Sequence, residues 1–406
     1  MSDWNWVEGG ITAARGFRAS GMISGIKPSG KPDLALVFSE VPATAAGAFT
    51  TNLVQAASVI YDRELLKRRE SVRAIVVNSG NANAATGEAG YRAVLDTARL
   101  LADLLAIEPE EVLVASTGVI GVPLPVEKIQ AAAPQLVADA AADGSERAAE
   151  AILTTDLVRK QCALSAVIAG KTVHVGGIAK GSGMIHPQMA TMLAFITCDC
   201  AVAAPLWRQI VRRAVDRSFN QITVDGDTST NDLLVALANG EAKNSLIDDP
   251  HSPQAELLEQ MVTAVCIDLA QKVVRDGEGA TKVVEVQVKG AADDAAARQI
   301  ALTVAGSSLV KAAMFGNDPN WGRLAAAAGR AGVRFDPEKL AIRLGTFALM
   351  EAGQPLVFDR AAASHYLKSA PTVVVFLQVG EQAGTGTAWG CDLSYDYVKI
   401  NAEYTT

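Results

Sequence analysis

The stretch Lys180-Gly181-Ser182-Gly183-Met184-Ile185-His186-Pro187-Gln188-Met189-Ala190-Thr191 places a lysine, two glycines and a proline ahead of a threonine that heads the apolar run Met192-Leu193-Ala194-Phe195-Ile196. A strainable loop that leads through a small residue into a buried strand is an arrangement self-processing proteins use. The Thr191 hydroxyl could attack the Ala190 carbonyl. An N-to-O acyl shift followed by hydrolysis would then free an α-amine on Thr191. Such an amine titrates at about 7.7 to 8.0, so near neutral pH it can serve as base for its own hydroxyl, and no histidine is needed. Taken alone, the plainer reading of a Gly-rich turn before a core strand is preferred, because short motifs match by chance. His186 reads as a loop hydrogen-bonder. The Gly181-Ser182-Gly183 triplet lacks the spacing of dinucleotide or P-loop motifs.

Six further segments could carry chemistry. Ser116-Thr117-Gly118 follows a strand, and the Thr117 hydroxyl beside the Gly118 N–H suits an oxyanion, although a plain strand-to-turn connection fits as well. Asp225-Gly226-Asp227-Thr228-Ser229-Thr230-Asn231-Asp232 starts like a calcium loop but has Thr230 at the sixth position and Ala236 at the twelfth, so it reads as a polar turn. In Arg275-Asp276-Gly277-Glu278-Gly279, the glycines give a tight exit from a helix and allow Glu278 to point inward, where a carboxylate would hold an ammonium group; a solvated capping turn is equally consistent. Thr154-Thr155-Asp156, Phe315 to Arg323 and the tail Asn401 to Thr406 each read as a turn or tail when taken singly.

These segments need a scaffold, and the pattern supplies an α/β or α+β one: short β-branched runs alternate with helical periodicity. Strands are expected at 72–78, 111–115, 283–289, near 339–349 and at 372–379, with 162–168 and 171–178 forming a hairpin about Ala169-Gly170. Helices are expected at 90–106, 205–219, 253–274 and 292–303, with Pro125 in the first turn of another and a loop at 315–323. A domain boundary is placed near 281–292.

The chain has 406 residues, 36 Lys+Arg against 44 Asp+Glu and a net charge of −8, which argues against nucleic-acid or anionic-membrane partners. No signal peptide or membrane span is visible. Five cysteines without C-x-x-C spacing suit reduced thiols in a cytoplasm, and the four histidines leave little for a metal site. No metal and no bound cofactor are expected.

Together, VVNSGNANAATG (76–87), ASTGVIG (115–121), TTD (154–156), KGSGMIHPQMATMLAFITCD (180–199), DGDTSTND (225–232), RDGEGATK (275–282), GNDPNWGR (316–323) and YVKINAEYTT (397–406) resemble the ornithine/glutamate N-acetyltransferases of arginine biosynthesis, self-cleaving enzymes that recycle the acetyl group of N-acetylornithine onto glutamate. The matching stretches run in the family's order across nearly the whole chain. The resemblance implies a layered sandwich of helices and sheets over 1–285, with a smaller α/β domain at 286–406 whose tail returns to the active site. It implies cleavage between Ala190 and Thr191 into chains 1–190 and 191–406, Thr191 as nucleophile and Thr117 with Gly118 as oxyanion hole. Thr154, Lys180, Thr191, Glu278, Asn401 and Thr406 become the substrate-binding positions. An α2β2 heterotetramer follows from the same resemblance, and acetyl-CoA is the further donor that it admits. His186 and Gln188 depart from it, since Ala and Asn are expected there. An N-terminal-nucleophile amidase or aminopeptidase with water as acceptor, and an uncleaved silent binding homologue, are the alternatives.

Overall fold

The computed structural model describes residues 3–186 and 192–403. Their centre is a nine-stranded sheet running Trp4–Val7, Lys160–Ile168, Lys171–Lys180, Leu193–Cys198, Leu233–Ala238, Leu34–Phe49, Ser71–Asn81 and Val112–Val119, with Phe17–Met22 also paired to Leu34–Phe49. Leu193–Cys198 lies parallel to Leu233–Ala238, with Leu193 opposite Leu233. Both strands are buried at every position, because helices cover both faces of the sheet. Ala57–Arg68, Gly87–Leu105, Val126–Ala138 and Ser145–Ala151 pack on one face, and Ala204–Arg217 with Pro253–Arg275 on the other. A strand without a wet face has no reason to alternate, so 192–196 reads as an unbroken apolar run. Each fully buried Leu or Phe of this pair contributes about 1.5–3 kcal/mol.

Local signals explain the long helix Pro253–Arg275. The Ser252 Oγ accepts the Ala255 N–H at 3.2 Å, Pro253 occupies the first turn, and Lys272 and Arg275 face the carbonyl end. Its Leu269 approaches the sheet at Gly177, where a Cβ would lie 2.7 Å from Ile196 and 3.0 Å from Leu269. A side chain there would have to displace the tips of Ile196 and Leu269, which pack closely against this glycine.

A seven-stranded sheet follows, ordered Gln354–Pro355, Phe347–Glu351, Ala341–Leu344, Thr372–Gln378, Val283–Ala291, Gly384–Cys391 and Ile222–Thr223. Asp294–Ala305 and Trp321–Gly329 are among the helices covering it. Val284, Val286 and Val288 are buried while Glu285, Gln287 and Lys289 are not, as the alternation requires. Ile222–Thr223 joins this sheet from earlier in the chain through parallel pairing with Trp389 and Gly390.

The hairpin expected about Ala169-Gly170 is present as Lys160–Ile168 and Lys171–Lys180, with both turn residues at positive φ, 48° and 74°. Three expectations change. The strand expected at 111–115 runs on to Val119, because Thr117 and Gly118 continue the parallel ladder against Ser79 and Gly80. The segment at 339–349 is two strands, Ala341–Leu344 and Phe347–Glu351, separated by Gly345 at φ 55°. The loop at 315–323 ends early, since the Asn320 side chain accepts the Arg323 N–H and starts the helix Trp321–Gly329.

Candidate active site

Thr117 and Gly118 owe their position to two glycines that face each other. Gly118 sits at φ 133° opposite Gly80 at φ 99°, and a Cβ on Gly118 would come within 2.3 Å of the Gly80 carbonyl carbon. The strand therefore continues past the point where a side chain would have ended it, and exposes the Thr117–Gly118 edge to a cleft of about 120 Å³. Thr154, Lys180, Glu278 and Asn401 line the same cleft. Six positions separated by up to 284 residues thus converge.

Lys180 ends the strand Lys171–Lys180 and is buried, with its Nζ donating to Thr117 Oγ1 at 3.4 Å. Burial lowers its pKa, and the nearby Asp156 carboxylate opposes that shift. Glu278 leaves the end of Pro253–Arg275 through Gly277 and Gly279, and its Oε2 accepts from Asn401 Nδ2 at 2.8 Å. Asn401 is carried by Tyr395–Glu403, a helix with no buried residue, which is tied down by Ser394 Oγ donating to the Gly279 carbonyl at 2.6 Å. Thr154 is held by its N–H to Asp156 Oδ2 at 3.0 Å.

The loop 225–232 has a larger part than a polar turn. Asp225 accepts the N–H groups of Met184 and Ile185, the latter at 2.8 Å, and Thr228 Oγ1 donates to the His186 carbonyl at 2.9 Å. His186 Nδ1 lies 3.1 Å from Thr223 Oγ1, and burial lowers its pKa, so it is a loop hydrogen-bonder as expected. On the far side, the Leu233 N–H reaches the Met192 carbonyl at 3.0 Å. The same loop thus grips the chain at 184–186 and its neighbour grips it at 192. Ala190 and Thr191 between them, and Thr406 at the terminus, lie outside the described residues.

Sequence reasoning missed Asn231, Ser229 and Met184 on the cleft wall. Asn231 Nδ2 donates to the Ala82 and Ser116 carbonyls at 2.6 and 2.8 Å, pinning the loop to the strand that presents Thr117. The only signal for it was an amide in a polar run. A wider groove of about 670 Å³ lies elsewhere, beside Trp4, Arg213 and Glu259, but Arg213 and Glu259 already pair at 3.0 Å. The smaller cleft is where a cation, a carboxylate, a hydroxyl and a glycine N–H converge.

The family model that matches is that of the ArgJ family, over residues 18–406. The arginine biosynthesis bifunctional protein ArgJ of Gloeobacter violaceus is 73% identical over 406 residues, covering 100% of both chains. The protein of the same name from Thermosynechococcus vestitus is 58% identical over 420 aligned positions, again covering 100% of each. Among solved structures, the ArgJ of Bacillus halodurans matches with a TM-score of 0.51 and 42% identity, covering 53% of this chain and 100% of that one.

Proposed function

The chain belongs to the ArgJ family, and from that premise we propose that it is a glutamate N-acetyltransferase of arginine biosynthesis, working through Thr191. The observation that carries the reading is the convergence of Thr117, Gly118, Lys180 and Glu278 on one cleft, flanked by the two anchored ends of the 187–191 junction.

The steps follow from those groups. In the precursor, the Thr191 hydroxyl attacks the Ala190 carbonyl, the acyl group moves from nitrogen to oxygen, and water hydrolyses the ester. The products are a carboxylate at Ala190 and an amine at Thr191. In turnover, that amine accepts the hydroxyl proton as Thr191 Oγ1 attacks the acetyl carbonyl of N-acetylornithine. The Thr117 hydroxyl and Gly118 N–H donate to the developing oxyanion. Collapse expels ornithine, which leaves with the proton, and the acetyl group remains as a Thr191 ester. The amine of glutamate then attacks that ester and regenerates the hydroxyl. Lys180 holds the substrate α-carboxylate and Glu278 the δ-ammonium of ornithine, while Thr154, Asn401 and Thr406 complete the pocket.

Cleavage also has support in chain length. The Bacillus halodurans chain is matched in full by 53% of this sequence, the share that residues 191–406 make up. The relatives' description as bifunctional favours a second donor at the same cleft, and acetyl-CoA, not a resident cofactor, is the one assigned here. Assembly of two α and two β chains and a cytoplasmic location belong to the same reading; all five cysteines are buried free thiols.

The test combines denaturing mass measurement with transfer of labelled acetyl from N-acetylornithine. Two fragments whose masses sum to the chain plus water, together with label on glutamate, are expected. Label released only as acetate would replace transfer by hydrolysis. An intact chain with full transfer activity would sink the self-cleavage step.

A further inference from the structure

Directly behind the cleft wall lies a charge cluster that the proposed steps do not use. Lys160, the first residue of Lys160–Ile168, is completely buried. Its Nζ donates to Asp156 Oδ1 at 2.7 Å, to Asp276 Oδ2 at 2.6 Å and to the Val158 carbonyl at 3.2 Å, which uses all three of its protons. Each carboxylate reaches onward to the site. Asp156 Oδ1 also accepts the Gly181 N–H at 2.6 Å and its Oδ2 the Thr154 N–H at 3.0 Å. Asp276 Oδ2 accepts the Leu157 N–H at 3.0 Å. The Asp276 carbonyl takes Ser182 Oγ at 2.6 Å, and the Ser182 carbonyl accepts the Glu278 N–H at 3.0 Å. One ammonium therefore links the segments that carry Thr154, Lys180 and Glu278.

A buried ion pair is a costly route to stability, because apolar residues of similar volume do as well or better. Its advantage is directional: one ammonium with fixed donors to two carboxylates and a backbone carbonyl sets the relative position of three loops. Two buried cations, Lys160 and Lys180, also face two buried carboxylates here, so without Lys160 the Asp156 carboxylate would be balanced by Lys180 and Lys27.

We propose that Lys160 is the positioning residue of this site, cross-linking Asp156 and Asp276 so that Thr154, Gly181 and Glu278 keep register and the Lys180 ammonium stays available to the substrate carboxylate. This rests on the acetyltransferase reading. The charged groups facing Lys180 are Asp156, Asp232 and Glu278, which favour its protonation, and Lys160 and Lys27, which oppose it. Loss of the Lys160 charge therefore moves the protonation of Lys180 to higher pH, and loss of the Asp156 charge moves it to lower pH.

The experiment compares the self-processed wild type with Lys160→Met and Lys160→Arg, measuring kcat and KM for N-acetylornithine and glutamate from pH 6 to 10. Lys160→Met is expected to lower kcat/KM by about 10- to 100-fold, mostly through KM, and to shift the alkaline limb upward. Lys160→Arg keeps the charge, so the limb stays at the wild-type pH while KM remains raised. A folded Lys160→Met enzyme with the wild-type kcat/KM, or one with reduced activity and an unmoved limb, would overturn the proposal; the second result would leave only a structural role. Should Lys160→Met not fold, Asp156→Asn is read instead, with the limb expected to move downward and an unmoved limb overturning the proposal. A wild type that transfers no acetyl to glutamate would sink the underlying reading, whereas a normal wild type with either overturning result sinks only this inference.

Discussion

Gly183→Ala isolates the role of Glu278 with one methyl group. The Gly183 backbone is not in the left-handed region, so alanine meets no conformational strain there. A Cβ would nonetheless sit 2.5 Å from Cδ, Oε1 and Oε2 of Glu278, where ordinary contact begins at 3.4 Å. The obstacle is the far end of a flexible side chain, so the carboxylate swings away by about 1 Å while the fold is kept, and the 2.8 Å bond from Asn401 is lost. A displacement of that size at a reacting or holding group costs up to about 100-fold, or about 2.7 kcal/mol of transition-state binding. The assay is acetyl transfer to glutamate, read as kcat/KM for N-acetylornithine beside N-acetylnorvaline, an analogue without the δ-amine. Gly183→Ala should weaken the first about 10- to 100-fold and the second several-fold less, with Tm within a few degrees of wild type. Equal losses on both donors would refute Glu278 as the ammonium holder, and unchanged kinetics would refute the steric reasoning. Gly118→Ala is the contrast: its Cβ meets the Gly80 and Asn81 backbone at 2.3 and 2.5 Å at φ 133°, so folding itself should fail.

Thr191→Ala should give a single uncut chain by denaturing mass measurement and no labelled acetylglutamate; transfer by the uncut chain would remove Thr191 from the mechanism. Thr117→Ala should lower kcat about 100- to 1,000-fold with a small change in KM, as loss of one oxyanion donor does, read by steady-state kinetics on the cleaved enzyme. Asp62 is fully buried on Ala57–Arg68, accepts the Val114 N–H at 2.9 Å through Oδ1 and leaves Oδ2 without a partner among the described residues. Burial raises its pKa well above 3.8, so its contribution to stability is complete below that pH and is lost as pH rises through the folded-state value. Asp62→Asn should therefore match wild type in Tm near pH 4 and exceed it at pH 8, and a Tm difference independent of pH would contradict this.

What was legible in the sequence is what short-range physics encodes. The unbroken apolar run at 192–196 signalled a strand covered on both sides, and the apolar periodicity of 253–274 signalled one long helix, found as Pro253–Arg275. The Glu278 and Thr117 positions could be proposed because each stands beside a glycine in the sequence, and the Lys180 position followed from the resemblance. What stayed hidden is non-local. Lys160 and Asp276 are 116 residues apart and have no shared motif. The spacing of Asp156 and Lys160 looks like a surface i,i+4 pair until the structure shows both completely withdrawn from water. The strand Val112–Val119 reads as shorter in the sequence for a related reason. Gly118 has the local conformation of a turn, and only its partner Gly80, 38 residues earlier, leaves room for the ladder to continue. Paired glycines across a sheet are individually indistinguishable from turn residues, yet here their joint effect is to let two strands continue past the point where either would end and to open the Thr117–Gly118 edge. The Thr117–Gly118 edge, proposed above as the oxyanion hole, is thus set by two missing side chains, and a side chain added at either glycine should damage it while Thr117 itself is unchanged.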